Sequence, residues 1–241
     1  MAEAAPPRVV VTQGLYGSAS TWVFNVAREL YLAAFGADSV LALYSDSLTK
    51  VLGHPDLRGR RVVWKMHRGE PDFTGFVELA YPAVLLSVRD PRDAVLSLIE
   101  RFKVAPQTAL AAIDACCSRL LPLAERGFPV LRYEDGYFAK PETVAAIAAH
   151  LRLPADAAAQ GRIFAAYESD AVRAAAASVA SLPPERLEGD AAVDLYDRVT
   201  QIHRNHIGDQ RVGKWRSRIA AEDQPRLTDH FAPFLRRFGY L

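Results

Sequence analysis

Five short, continuously apolar runs, Arg8 to Thr12, Val40 to Tyr44, Arg61 to Met66, Ala83 to Val88 and Phe128 to Arg132, recur along the chain with loop or helical sequence between them. A strand that is apolar throughout, rather than at every second position, must be covered on both faces. Helices on each side of a parallel sheet provide that cover. The fold class this implies is α/β, with a central parallel sheet flanked by helices.

Helical periodicity fills the gaps. From Thr21 to Phe35, the apolar Trp22, Val26 and Leu30 share one face. In Asp90-Pro91-Arg92-Asp93 the first residue caps a helix, the proline suits its first position, and Asp93 complements the dipole, so a helix runs from there to about Phe102. Gln107 to Arg126, Pro141 to Leu151, the alanine-rich Pro154 to Val179 with a break, Ala192 to His203 and Gln224 to Phe238 read as further helices. Ser181 to Asp190 is a lid or a connection, and Asn205 to Gly213 is a polar loop. With 241 residues, half of them apolar, and no Gly/Ser-rich or Pro-rich linker in the middle, residues 1–241 read as a single domain.

A formal net charge of +1 gives no global field to attract nucleic acid or an anionic membrane, so anion recognition must come from a local cluster. Cys116 and Cys117 are adjacent, which suits neither a disulfide framework nor spaced metal ligands, and the expectation is a reducing cytoplasm. Residues 1–7 lack the basic start and apolar stretch of a signal peptide, and nothing approaches the length needed to span a bilayer. The histidines lack metal-like spacing. His203 and His206 with Arg204 form a small basic patch, which reads either as a contact for a donor phosphate or an acidic acceptor or, more simply, as a solvated helix end.

Three segments carry chemistry. In Gln13-Gly14-Leu15-Tyr16-Gly17-Ser18-Ala19-Ser20-Thr21-Trp22 the chain leaves a strand, passes two glycines and enters a helix, so backbone N–H groups converge where a phosphate-like anion binds. Against the pattern G-x-x-x-x-G-K-[ST], Gly14 and Thr21 fit, but Ala19 and Ser20 replace the glycine and the lysine. A kinase needs that lysine for the β/γ-phosphates, so its absence counts against a nucleoside triphosphate. Lys65-Met66-His67-Arg68 falls at a strand end, where open α/β sheets place ligands. Arg89 ends the strand before the Asp90 helix, and Ser97 lies about two turns along that helix.

Taken in order, these segments resemble the sulfotransferases that use 3′-phosphoadenosine-5′-phosphosulfate (PAPS). The family's P-K-S-G-T-T-W resembles Tyr16 to Trp22, its K-T-H resembles Lys65-Met66-His67, and its R-N-x-x-D-x-x-x-S resembles Arg89 to Ser97. Its Y-E-D matches Tyr133-Glu134-Asp135, and its R-K-G-x-x-G-D-W-K loop is similar to Gly208 to Arg216.

The resemblance implies a three-layer, P-loop-like fold and transfer of a sulfuryl group from PAPS, with adenosine 3′,5′-bisphosphate (PAP) as product and no metal. The acceptor would be a hydroxyl or amine on a small molecule, carbohydrate or lipid. It implies that Gly17, Ser18, Ala19, Ser20, Thr21 and Trp22 hold the donor, with Trp22 near adenine, while Arg89 and Ser97 bind its 3′-phosphate. Tyr133 would line the pocket, and Arg211, Val212 and Gly213 would close over it. Gly17 stands where the family has a lysine, and Lys65 is the nearest replacement. His67 is the expected general base, since imidazole titrates near neutral pH. Phe73, Phe76, Tyr81, Phe102 and Tyr137 are candidates for an acceptor pocket. The competing readings are a P-loop kinase or phosphotransferase and a catalytically silent PAP-binding protein.

Overall fold

In the computed structural model, which describes residues 5–190 and 194–241, the apolar runs form one sheet. Its strands are β1 (Val9–Gly14), β2 (Val40–Tyr44), β3 (Arg61–Met66), β4 (Ala83–Val88) and β5 (Val130–Arg132). They are all parallel and lie in the order β2-β3-β1-β4-β5. Alternate residues serve two cores. Val11, Trp64 and Leu86 face one layer of helices, whereas Val10, Val63 and Leu85 face the other. That division is the physical content of the continuously apolar runs.

The first layer holds α3 (Phe73–Ala80), α4 (Pro91–Phe102), α5 (Pro106–Glu125) and, at the end of the chain, α10 (Gln224–His230) and α11 (Ala232–Arg237). The second holds α1 (Ser20–Phe35), α6 (Glu142–His150), α7 (Ala157–Tyr167) and α8 (Ser169–Ser178). Two short helices, α2 (Leu48–Leu52) and α9 (Trp215–Arg218), lie in connections. Both cysteines are buried and unpaired. No helix among the described residues is long and apolar enough to cross a membrane.

Three expectations change. The alanine-rich stretch breaks at Glu168, whose backbone is extended, into α7 and α8. The C-terminal helix is two, because Pro233 takes an early position in α11 and ends the run before it. The helix expected over Ala192 to His203 is absent from its described part. Tyr196–Asp197 (β7) pairs instead with Leu187–Glu188 (β6), and Tyr196 bridges to His203. Asp197 accepts from the Val199 amide (3.0 Å) and the Thr200 hydroxyl (2.6 Å) and pairs with Arg186, so its side chain outcompetes the helical backbone. Residues 191–193 of that expected helix lie outside the described residues. Ser181 to Asp190 is a connection that includes β6 and contributes nothing to the main cavity.

Candidate active site

Because β1 is central, the chain leaves it toward β2 on one side and returns to β4 on the other, which opens a crevice at its carboxyl end. The loop there is built on close approach. A Cβ on Gly14 would lie 2.2 Å from Ser87 Oγ and 2.4 Å from Ser20 Cβ, so only glycine lets the loop pack against β4. The Leu15 amide donates to the Ser87 carbonyl (2.9 Å), and the Ser18 hydroxyl donates to the Leu15 carbonyl (2.7 Å). Ser18 is therefore turned into the protein, and its carbonyl accepts from Tyr137 at 2.5 Å. Ala19 takes a left-handed conformation (φ 60°) at the start of α1 without a side-chain cap. The amides of Ala19, Ser20 and Thr21 donate to nothing among the described residues, and all three residues line a cavity of about 750 Å³.

Lys65 enters this cavity from the end of β3. It is 3 % exposed, and its Nζ donates to Thr21 Oγ1 at 2.9 Å. Burial, and after it the charge of Arg101, pull its pKa down to about 7. His67 is 7 % exposed and stacks on Tyr16 with ring centroids 4.0 Å apart. Its Nδ1 lies 2.6 Å from the Gly14 carbonyl. A carbonyl only accepts, so the proton sits on Nδ1 and Nε2 keeps its lone pair. Burial, then Lys65, hold the ring's pKa down to about 3. Asp46 fixes the segment by accepting the amides of His67 and Arg68, each at 2.8 Å.

Arg89 follows β4 and is 3 % exposed. Its Nη1 donates to the Gly17 carbonyl (3.1 Å) and its Nη2 to the Arg211 carbonyl (2.7 Å), while Cζ lies 4.2 Å from the centroid of the Tyr133 ring. Its Nε, like Nε1 of Trp22, is buried without a partner among the described residues. Asp93 pairs with Arg89 at 3.7 Å and accepts the amides of Gly213 (2.6 Å) and Trp215 (2.9 Å). Gly17 lies against Ser97. It has φ 74°, and a Cβ there would lie 3.2 Å from Ser97 Oγ, so a side chain at this position would be strained.

The cavity thus gathers Gly17, Ala19, Ser20, Thr21, Trp22, Lys65, His67, Arg89, Ser97 and Tyr133. It leaves out the buried Ser18 and three residues of the C-terminal loop, Arg211, Val212 and Gly213. Gly208, Asp209, Gln210 and Lys214 line it from that loop instead. Of the five aromatic acceptor candidates, only Phe102 lines it. Phe73 and Phe76 pack on Trp64, Tyr81 is exposed, and Tyr137 is buried beneath the first loop. His203 and His206 are cavity residues rather than a solvated helix end, and His203 Nδ1 is bonded to Asp194. Sequence reasoning missed Arg101, although its place four residues after Ser97 puts both on one face of α4.

No protein-family model matches the chain, and no curated protein matches it in sequence. Solved structures do match in fold. Retinol dehydratase with retinol and PAP superposes with a TM-score of 0.58 at 14 % identity, over 96 % of this chain and 82 % of that one. The same protein with androsterone and inactive cofactor PAP gives 0.59, also at 14 % identity and with the same coverage. Mouse sulfotransferase SULT7A1 complexed with PAP gives 0.65 at 12 % identity, over 97 % of this chain and 86 % of that one. The central parallel sheet flanked by helices is the fold these proteins share, and the three-layer α/β expectation holds.

Proposed function

We propose that the protein transfers a sulfuryl group from PAPS to a hydroxyl or amine of a small-molecule, carbohydrate or lipid acceptor by in-line displacement. The observation that carries this reading is the hydrogen bond from Lys65 Nζ to Thr21 Oγ1, beside an imidazole whose Nε2 is free. In a P-loop kinase the hydroxyl at the Thr21 position holds Mg²⁺ and the preceding lysine meets the β/γ-phosphates. Here the preceding residue is Ser20, and the hydroxyl accepts from an ammonium. That arrangement suits a singly charged transferring group better than a triphosphate with its metal. It also supports Lys65 as the replacement for the lysine that Gly17 lacks.

The residues present fit the nucleotide. The open amides of residues 19–21, the idle Nε of Arg89 and the idle Nε1 of Trp22 are donors in need of acceptors. When bound, PAPS supplies the sulfuryl group and a phosphate leaving group. Ala19, Ser20 and Thr21 hold its 5′ end, Lys65 faces the charge that develops there, and Arg89 with Ser97 holds the 3′-phosphate. Trp22 and Tyr133 flank the base side. His67 Nε2 takes the acceptor's proton. An anion beside Lys65 offsets that lysine's repulsion of the ring and raises the ring's basicity when it is needed. The likeness to PAP-bound structures supports the same reading.

The test has two arms. Adenosine 3′,5′-bisphosphate without metal, at about a hundred times its dissociation constant, should stabilise the fold by about 2.7 kcal/mol. ATP with Mg²⁺ should not. Labelled PAPS should then pass its sulfuryl group to at least one acceptor in a mixed panel. Stabilisation by ATP-Mg²⁺ alone would return the reading to a phosphotransferase, whereas bisphosphate binding without transfer would leave a silent binding protein.

A further inference from the structure

Arg101 lies on α4 one turn beyond Ser97, in the wall of the cavity that contains Lys65 and His67. Its charge reaches that pair and also acts on His203 and His206. Little in the protein answers this charge. Nε and Nη2 are closed off from solvent and donate to nothing among the described residues. The neighbouring Glu100 is taken by Lys214 Nζ. Asp194 is the carboxylate whose field Arg101 feels, but it is bonded to His203 Nδ1 and forms no ion pair with the guanidinium. Burial lowers the Arg101 pKa to about 10, which leaves it charged at neutral pH.

Arg101 is half-buried, whereas the two fully buried guanidiniums among the described residues are paired, Arg89 with Asp93 and Arg92 with Asp90. Charged donors shut off from water without an acceptor are unfavourable unless something completes them. The surface beside it is aromatic. Phe102 lies 4.6 Å from Arg101 Cζ by its ring centroid, and His203 packs on Tyr196 at 4.7 Å.

We infer that Arg101 binds an anionic group on the acceptor, so that the substrate is a small molecule bearing both a carboxylate, sulfate or phosphate and the hydroxyl or amine presented to His67. This rests on the transferase reading for the word acceptor, although the anion site itself does not. A guanidinium meets such a group with two parallel N–H···O bonds, which fixes orientation as well as affinity. Arg89 and Ser97 lie beside Gly17, on the donor side, and Arg101 is one turn farther along α4. An anion there also favours the protonated form of Lys65, because it offsets the repulsion that Arg101 exerts.

The experiment uses the full chain, with and without saturating adenosine 3′,5′-bisphosphate, which fills the donor phosphate site. Phenolic carboxylates, aryl sulfates and aryl phosphates, each paired with its uncharged amide or alcohol, are titrated by ligand-observed NMR. The anionic member of each pair is expected to bind roughly ten- to a hundredfold more tightly, and Arg101→Gln and Arg101→Met should each remove the difference. Bisphosphate affinity should stay unchanged in both variants, which also reports that they are folded. Equal binding of charged and uncharged partners to the unmutated protein overturns the inference, as does a preference that survives Arg101→Gln. If the bisphosphate does not bind, the transferase reading fails separately, while the paired ligands still decide the role of Arg101.

Discussion

A lysine at 3 % exposure, with its ammonium on a threonine hydroxyl, sits in the wrong solvent for its charge. Burial first, and Arg101 second, take its pKa from 10.5 to about 7. The unfolded chain keeps this proton up to about pH 10.4. Between those values the unfolded state binds more protons than the native one, so stability rises with pH across the window and the penalty is complete below it. Lys65→Met should therefore stabilise the ligand-free protein on the order of a few kcal/mol near pH 6, and the gain should shrink to nothing by about pH 10. Urea titrations of both proteins at the two pH values check this, and a midpoint for Lys65→Met below that of the unmutated protein at pH 6 contradicts it. His67, held neutral with a pKa of about 3, acts on the acid side. The unfolded ring takes a proton below about 6.5 and the native ring does not, so stability falls as pH drops from there toward 3. For the same reason the acid limb of kcat/KM should lie well below pH 6.5, and His67→Ala should lower turnover roughly a hundredfold or more. An acid limb at the ordinary histidine value would remove His67 as the base. Both residues were legible because they stand together at a strand end. Arg101 was not, since a single arginine in the last turn of an amphipathic helix is indistinguishable in sequence from a solvated one.

At the scale of elements, Asp93 shows how one residue carries two meanings. In sequence it complements the dipole of α4. In the fold it is fully buried and holds Gly213 and Trp215 by their amides while facing Arg89, so the start of α4 and the C-terminal loop are joined through one carboxylate. Arg89 closes the circuit through the Arg211 and Gly17 carbonyls. Asp93→Ala should thus lower hydrogen-exchange protection at Gly213 and Trp215 roughly ten- to a hundredfold each, since hydrogen bonds to a charged acceptor are lost. Amides in β3 should change less, and a uniform loss across the sheet would show that Asp93 supports the whole fold rather than this junction. Strands and the helices that pack on them were readable because burial imposes a period. The C-terminal third was harder to read. The hairpin of β6 and β7 is fixed by the contact of Asp197 with Arg186, eleven residues earlier, which leaves no local period. Phe73–Ala80 carries a glycine near its start, Gly75, yet Phe73 and Phe76 anchor it as a helix on Trp64.

For the whole molecule, the consequence lies in where the site is rooted. Its loops leave β1, β3 and β4, the three central strands, and it draws on α4, Tyr133 and, from the far end of the chain, Gly208, Asp209, Gln210 and Lys214. These segments meet only when the centre of the sheet is complete, since β1 pairs with β3 and β4, strands that lie 53 and 73 residues further along the chain in register. A ligand held there cannot keep its contacts in a partly open state that has lost the sheet. Adenosine 3′,5′-bisphosphate should therefore protect the deepest amides, those of β1 and β4, as well as the loops it touches, because it raises the free energy of global unfolding itself. At about a hundred times the dissociation constant the expected rise in Tm is about 5–10 °C for a chain of this size. Hydrogen exchange confined to the loops, with Tm unmoved, would mean that the nucleotide binds a surface that opens independently of the sheet.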